Sequence, residues 1–123
     1  MHMELKKINR DFSVCKVTDF ANVDPEIEFC FLAKTDEECS LVCPTERVPD
    51  RVIARDDGWK AFRIQGILDF SLIGILADLS ALLAQNGIAI FAISTYNTDY
   101  LLVKQENYPE ALDILSRAGY TIV

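Results

Sequence analysis

Histidine is almost absent from this sequence of 123 residues: the only one is His2, close to the N-terminus. A Ser-His-Asp or Cys-His arrangement needs a histidine beside its nucleophile, and a structural zinc site needs four converging ligands. Nucleotide-binding and zinc-protease motifs (GxxxxGK[ST], GxGxxG and HExxH) are also missing. We therefore expect no catalytic site, no metal and no cofactor, and we expect that the protein is not an enzyme.

Long apolar runs and excess positive charge are lacking as well. The longest apolar run, Ile88 to Ile93, is far shorter than the roughly 20 residues of a membrane-spanning helix, and no signal-peptide hydrophobic region is visible. Twelve Lys and Arg face 19 Asp and Glu, so the net charge is -7, and the resulting field repels phosphates and anionic lipids. We expect a cytoplasmic protein that binds neither nucleic acid nor membrane.

Cysteines are few and show no metal-binding spacing. The four residues are Cys15, Cys30, Cys39 and Cys43, and none forms a C-x-x-C pair with a matching second pair. This pattern favours four reduced thiols, largely buried in strands. A redox or metal role is the alternative.

The composition predicts a folded chain in two parts. Half of the residues are hydrophobic and a quarter are charged, which suits one domain or two small subdomains sharing a core. A turn at Asp56-Asp57-Gly58 divides the chain into residues 1–58 and 59–123. Four strands are predicted in the first part, and helix signals there are weak: Glu4 to Ile8, Phe12 to Val17, Ile27 to Lys34 and Ser40 to Cys43.

The second part alternates strands with helices. Each helix has a glycine just after its end, Gly87 or Gly119, and Ser71 is a plausible N-cap for the first. The order is strand, helix, strand, strand, helix, strand, with these ranges: Trp59 to Gln65, Leu72 to Asn86, Ile88 to Ile93, Tyr100 to Lys104, Asn107 to Ala118 and Thr121 to Val123. The continuous apolar run of the third element is typical of a central strand covered on both faces. This order predicts an α+β, ferredoxin-like βαββαβ fold.

The first predicted helix is apolar around most of its circumference. Its less apolar positions, Gly74, Asp78, Ala81 and Gln85, recur at steps of three and four and so form one narrow stripe. A surface helix normally needs an apolar arc of only about 100°. We therefore expect the extra apolar face to pack against a second subunit in a homodimer.

Two polar segments border the predicted strands and are candidates for a ligand site. Leu68 to Gly74, which includes Asp69, leads into a helix N-terminus, where unpaired N–H groups and the positive end of the dipole favour a carboxylate. Ile93 to Asp99 gathers three hydroxyls, an amide, a phenol and a carboxylate. Helix amides near Ser71 to Ile73 can take the α-carboxylate of an amino acid, and Asp99 or strand carbonyls can take its α-ammonium group. In the simpler alternative, Ser71 only caps the helix and the second segment only makes a hairpin turn.

At these segments the sequence resembles the ACT-domain superfamily, in particular the branch of small bacterial ACT proteins and the animal cytosolic arginine sensors called CASTOR. The resemblance lies chiefly in Gly74-Ile75-Leu76-Ala77, Gly87 to Phe91, Ile93-Ser94-Thr95-Tyr96 and Thr98-Asp99-Tyr100. The first part of the chain also looks like the N-terminal strands of that branch. The D-x-P-G run of many biosynthetic-enzyme ACT domains is replaced here by Asp69-Phe70-Ser71-Leu72.

The resemblance implies an ACT subdomain over residues 59–123, preceded by a degenerate, strand-rich ACT-like half. It also implies regulatory binding of an amino acid or similar small metabolite at an interface between ACT units of a homodimer. Together with Asp69, the implied ligand-binding residues are Ser71, Leu72, Ile73, Gly74, Ser94, Thr95, Tyr96, Thr98 and Asp99. The alternative function is a protein-interaction or dimerisation module that keeps the ACT fold without a ligand.

Overall fold

A computed structural model describes residues 3–65 and 74–123 of the chain. Within these ranges it contains seven strands and two α-helices, with short 3₁₀ turns after the third and sixth strands. The elements are β1 (Glu4–Val17), β2 (Phe31–Lys34), β3 (Cys39–Pro44), β4 (Ala54–Gln65), α1 (Ile75–Gln85), β5 (Phe91–Ser94), β6 (Asp99–Lys104), α2 (Tyr108–Arg117) and β7 (Thr121–Ile122). None of the described helices is long and apolar enough to cross a membrane.

The chain forms two compact units. The C-terminal unit comprises Met1–Asn9 and Lys60–Val123, and the N-terminal unit comprises Arg10–Trp59. The predicted division into residues 1–58 and 59–123 remains a prediction. The structural grouping differs from it mainly in the placement of the first nine residues.

The C-terminal unit has the predicted ferredoxin-like architecture. Its strands lie in the order β7, β1, β4, β6, β5, and β5 and β6 pair as an antiparallel hairpin. Both helices pack on one face of this sheet, over a core formed by alternate strand residues and the apolar stripes of the helices. That core includes Leu5, Phe62, Ile64, Leu79, Leu83, Leu101, Val103, Ala111 and Leu115.

Both helices end as the glycine spacing predicts. Gly87 has a φ of 72°, its N–H donates to the Ala84 carbonyl, and the N–H of Ile88 donates to the Leu83 carbonyl at 2.9 Å. This is a Schellman motif, which satisfies carbonyls that the end of the helix leaves unpaired. Gly119, with a φ of 106°, ends α2 in the same way.

The predicted central strand over Ile88 to Ile93 is wrong in position and in extent. The strand begins at Phe91, and β5 pairs with β6 at the end of the strand order. Ile88 and Ile90 instead pack into the core beneath the helices. The whole run is apolar because Ile88 and Ile90 pack in the core beneath the helices, whereas the residues from Phe91 onward belong to the sheet.

The N-terminal unit is a small sheet without a described helix. Its order is β2, β3, β1, β4, and Val14 of β1 pairs with Val42 of β3. The two strands predicted over Glu4 to Ile8 and Phe12 to Val17 are one continuous strand. The turn predicted at Asp56 to Gly58 lies inside β4, where Gly58 has a φ of 83°.

Loops replace helices over the core of the N-terminal unit. That core contains Cys15, Val17, Leu41 and Cys43, and it is covered by connecting segments that include Phe20, Val23, Val48 and Val52. The four cysteines are unbridged; Cys15 and Cys43 are buried, and Cys30 and Cys39 are half-buried. The prediction of thiols buried in strands agrees with Cys15 and Cys43, whereas Cys30 lies between β1 and β2. Across the described residues, no cluster of His, Cys, Asp and Glu has the geometry to hold a metal ion.

The two units carry equivalent hairpins at a constant spacing in the sequence. The β2–β3 hairpin and the following 3₁₀ turn are matched, position for position, by the β5–β6 hairpin and its 3₁₀ turn 60 residues later. In both hairpins the N–H of a threonine donates to the carbonyl three residues on, from Thr35 to Glu38 at 2.9 Å and from Thr95 to Thr98 at 2.8 Å. The N-terminal unit is therefore a reduced copy of the same strand plan.

Candidate functional site

The candidate site lies where the end of β4 meets the β5–β6 hairpin. The hydroxyl of Thr98 donates a hydrogen bond of 2.5 Å to the carbonyl of Ile64, and Thr98 is only 9% exposed. A buried side-chain hydrogen bond of this kind fixes the hairpin against the strand end. The end of β4 therefore lies beside the hairpin.

Thr95 closes the hairpin turn. Its hydroxyl donates to the carbonyl of Thr98 at 3.0 Å and accepts from the N–H of Thr98 at 3.4 Å. Tyr96, at the tip of the turn, is 98% exposed. Thr95 therefore shapes the turn, and Tyr96 is the side chain most open to an incoming molecule.

Ser94 and Asp99 form a cross-strand pair at the open end of the hairpin. They lie directly opposite each other, and the Ser94 hydroxyl donates to Oδ1 of Asp99 at 2.5 Å. Asp99 alternates with Leu101 and Val103, which belong to the core under the helices, so it projects from the same sheet face. A half-buried carboxylate with remaining lone pairs can accept hydrogen bonds from an ammonium group.

The helix-entry half of the predicted site lies mostly outside the described residues. This applies to Asp69, Ser71, Leu72 and Ile73. Gly74 is described: it precedes α1 with a φ of 90°, and its carbonyl accepts the N–H of Asp78 at 2.8 Å. Its positive φ suits glycine, because a β-carbon disfavours this conformation.

Three polar residues on the opposite sheet face were not among the predicted site residues. Arg63 of β4 donates through Nε to Oε1 of Gln65 at 2.9 Å and through Nη1 to the hydroxyl of Tyr100 at 3.2 Å. Its guanidinium carbon lies 5.9 Å from the centre of the Tyr100 ring. An arginine inside a largely apolar strand was the available signal, but spacing alone cannot show that its partner comes from β6.

The buried thiols are poor nucleophiles. Burial is the main cause that raises the pKa of Cys43 to about 12 and also raises the pKa of Cys15. The thiolate is the reactive form of cysteine, and a raised pKa leaves little of it near neutral pH. Neither thiol has the environment of a catalytic cysteine.

The model of the ACT domain family matches residues 54–117. No protein of curated function matches the sequence significantly. Among solved structures, a protein from Agobacterium tumefaciens is similar over 100% of this chain and 93% of its own, with 31% identity and a TM-score of 0.88.

Two further structures are similar in fold. A Vibrio cholerae protein of unknown function, described as a possible transport protein, has 21% identity and a TM-score of 0.71, covering 94% of this chain and 88% of its own. The regulatory subunit of aspartate kinase from Thermus thermophilus, in its ligand-free form, has 9% identity and a TM-score of 0.66, covering 93% of this chain and 95% of its own. The family model spans more than half of the chain, includes the hairpin and both described helices, and establishes that this protein belongs to the ACT domain family.

Proposed function

We propose that this protein is a non-enzymatic regulatory domain that binds an amino acid or similar small metabolite at an interface between ACT units of a homodimer in the cytoplasm. The ligand state would be passed on through altered contacts with a protein partner. Membership of the ACT family and the likeness to an aspartate kinase regulatory subunit support a regulatory role. The narrower relationship to the CASTOR branch is part of the same proposal.

The observation that carries this proposal is the anchored hairpin. The bond from Thr98 to the Ile64 carbonyl holds the Ser94–Asp99 pair beside the end of β4. A charged acceptor and the strand end that precedes the predicted helix-entry segment thus occupy the same end of the sheet. An amino acid carries an ammonium group and a carboxylate on one carbon. A carboxylate acceptor for its ammonium group and N–H donors for its carboxylate therefore suit it.

The proposed roles follow from that chemistry. Asp99, oriented by Ser94, accepts the α-ammonium group, and the backbone amides near Ser71, Leu72 and Ile73 take the α-carboxylate. Asp69, Gly74, Thr95 and Tyr96 border the ligand, and Thr98 holds the hairpin in place. These roles are proposals for the whole set of predicted site residues.

A thermal-shift screen of the twenty amino acids, followed by calorimetry, tests the proposal. A ligand that binds only the folded state at a hundredfold excess over its Kd stabilises the protein by about 2.7 kcal/mol. Asp99→Asn should weaken binding of the responding amino acid by at least about tenfold, because charged hydrogen bonds contribute about 1.5–3 kcal/mol. Asp36→Asn, at the tip of the equivalent hairpin, is the matched control and should bind normally. Equal affinity in wild type and Asp99→Asn would reject the assigned site.

The alternative is an interaction module without a ligand. It is favoured by the apolar circumference of α1, where Ile75, Leu76 and Leu82 remain only half-buried. No thermal shift with any amino acid at millimolar concentration, together with a specific protein partner recovered by Asp99→Asn and wild type alike, would support this alternative.

A further inference from the structure

Arg63 differs from the other arginines in its surroundings. Four of the six arginines form ion pairs with an aspartate or glutamate: Arg10, Arg47, Arg55 and Arg117. Arg51 is exposed. Arg63 is half-buried, and within residues 3–65 and 74–123 its contacts are to the neutral side chains of Gln65 and Tyr100. A partly desolvated charge normally has a counterion, since burying one without a partner costs free energy.

The contacts of Arg63 determine which groups it leaves for a ligand. A guanidinium has five N–H donors and no acceptor. One donor from Nε and one from Nη1 are used by Gln65 and Tyr100, so both donors of Nη2 and one of Nη1 remain unused by the part of the chain that the structure describes. Because Arg63 can only donate, the oxygen of Gln65 must face it, and the Gln65 amide nitrogen is directed elsewhere with two donors of its own.

These unused donors lie together on the sheet face opposite the helices. Arg63 and Gln65 alternate with Phe62 and Ile64, which belong to the core under the helices, so they project from the other face. This face is also opposite to the one from which Asp99 projects. The group that complements a cluster of N–H donors is an acceptor-only group, and the terminal nitrogens of a guanidinium match a carboxylate in bidentate geometry.

We propose that Arg63, held in position by Gln65 and Tyr100, binds the carboxylate of a small molecule on the helix-free face of the C-terminal unit. Apolar surface stands next to it, because Ile93 pairs directly with Tyr100 across the hairpin. The site therefore suits a carboxylate attached to an apolar or aromatic body. It is separate from the amino-acid site proposed at Asp99 and does not depend on that proposal.

Benzoate and its neutral analogue benzamide are the probes for this site. Calorimetry and ¹H–¹⁵N spectra that include the arginine Nε signals should show saturable binding of benzoate, with shifts at Arg63, Gln65 and Tyr100, and no binding of benzamide. Arg63→Met should weaken benzoate binding by about ten- to a hundredfold, as expected for the loss of charged hydrogen bonds. Arg63→Lys should retain part of the affinity, since lysine keeps the charge but loses the bidentate fork. Arg51→Met is the matched control and should bind like wild type.

Three outcomes would overturn the proposal. These are no saturable benzoate binding to the wild type, equal binding to Arg63→Met with a normal folded spectrum, or equal binding of benzamide. The first of these outcomes, combined with a change from dimer to monomer in Arg63→Met, would assign the arginine to a contact between copies of the chain instead. Asp99→Asn should leave benzoate binding intact, so failure of the amino-acid proposal and failure of this one are distinguishable.

Discussion

At the scale of single residues, the same side-chain types serve turns in one place and the candidate site in another. Thr35 and Thr95 occupy equivalent positions and close their hairpins with the same backbone hydrogen bond. Thr98 adds a bond that its counterpart Glu38 does not make, to the carbonyl of Ile64. Hydroxyls in such turns are therefore first of all structural. The acidic residues of the first hairpin, Asp36 to Glu38, are exposed in its turn, whereas Asp99 of the second hairpin is half-buried and accepts a hydrogen bond from Ser94 across the strands.

Buried acidic groups make the stability of the fold sensitive to alkaline pH. Burial raises the pKa of Tyr108 from 10.0 to about 12 and that of Cys43 from 9.0 to about 12. In both cases the folded state holds its proton more tightly than the unfolded state. Their contribution to stability is therefore complete below the unfolded pKa values and is lost as the pH rises through the folded ones. We expect the free energy of unfolding in urea to fall between about pH 9 and pH 12.

Replacing Tyr108 separates its share of this effect. The Tyr108 hydroxyl donates to the Ala61 carbonyl at 2.7 Å, so Tyr108→Phe should cost about 1 kcal/mol at neutral pH. The variant should also lose less stability than the wild type above pH 10. Tyr96→Phe, at a position that is 98% exposed, should match the wild type at every pH. An unchanged alkaline slope in Tyr108→Phe would contradict the assigned role.

At the scale of secondary-structure elements, the C-terminal ends of both helices follow their sequence signals. The predicted start of the first helix at Leu72, with Ser71 as its N-cap, is wrong, because α1 begins at Ile75 after Gly74, whose left-handed conformation is not helical. The stripe of Gly74, Asp78, Ala81 and Gln85 is exposed throughout, as its spacing predicts. The predicted ends at Gly87 and Gly119 are confirmed by positive φ values and by paired hydrogen bonds. Local patterns suffice here because a helix satisfies most of its backbone hydrogen bonds within itself.

Substitutions of Gly87 test whether the end of α1 depends on the local backbone conformation. A side chain at this position would meet no atom within 4 Å, so only backbone strain penalises a substitution. Gly87→Ala should lower the free energy of unfolding by about 1 kcal/mol, because the left-handed conformation costs about 1–2 kcal/mol in residues with a β-carbon. Gly87→Asn should lose less, since asparagine tolerates this conformation better. Equal stability of all three proteins in urea unfolding would show that α1 ends differently.

Local sequence patterns predict the bounds of strands less well than those of helices. Two strands were predicted here, Glu4 to Ile8 and Phe12 to Val17, yet β1 continues from Glu4 to Val17. Both parts of this long strand pair with partners that are distant in the sequence, β7 at one end and β3 at the other. Continuity of a strand depends on those partners, and residue pattern alone does not reveal them.

At the scale of the whole molecule, the open question is what covers the outer side of α1. Ala77 and Ala84 are small, apolar and exposed, and they lie outside the stripe of Gly74, Asp78, Ala81 and Gln85. We expect the protein to be a homodimer at micromolar concentration, with α1 at the interface. Sedimentation velocity at several concentrations measures this.

A charge placed on α1 tests the interface without disturbing the core. Ala77→Glu should shift the protein toward a monomer, because an unpaired charge is costly at an apolar interface. Gln85→Glu introduces the same charge on the polar stripe and should remain dimeric. A strictly monomeric wild type would refute the homodimer, and an unaffected Ala77→Glu dimer would place the interface elsewhere.

Residue pattern alone is enough to predict the α+β class, the order of strands and helices in the C-terminal unit and the C-terminal ends of both helices. These features depend on hydrophobic periodicity and on glycine conformation, which are local properties. The folded chain is needed to show that β5 lies at the edge of the described strands, that Thr98 is bonded to Ile64, and that Arg63 contacts Tyr100. Each of these three features depends on contacts between residues that are far apart in the sequence. The residues that make such contacts show no periodic pattern that would predict them.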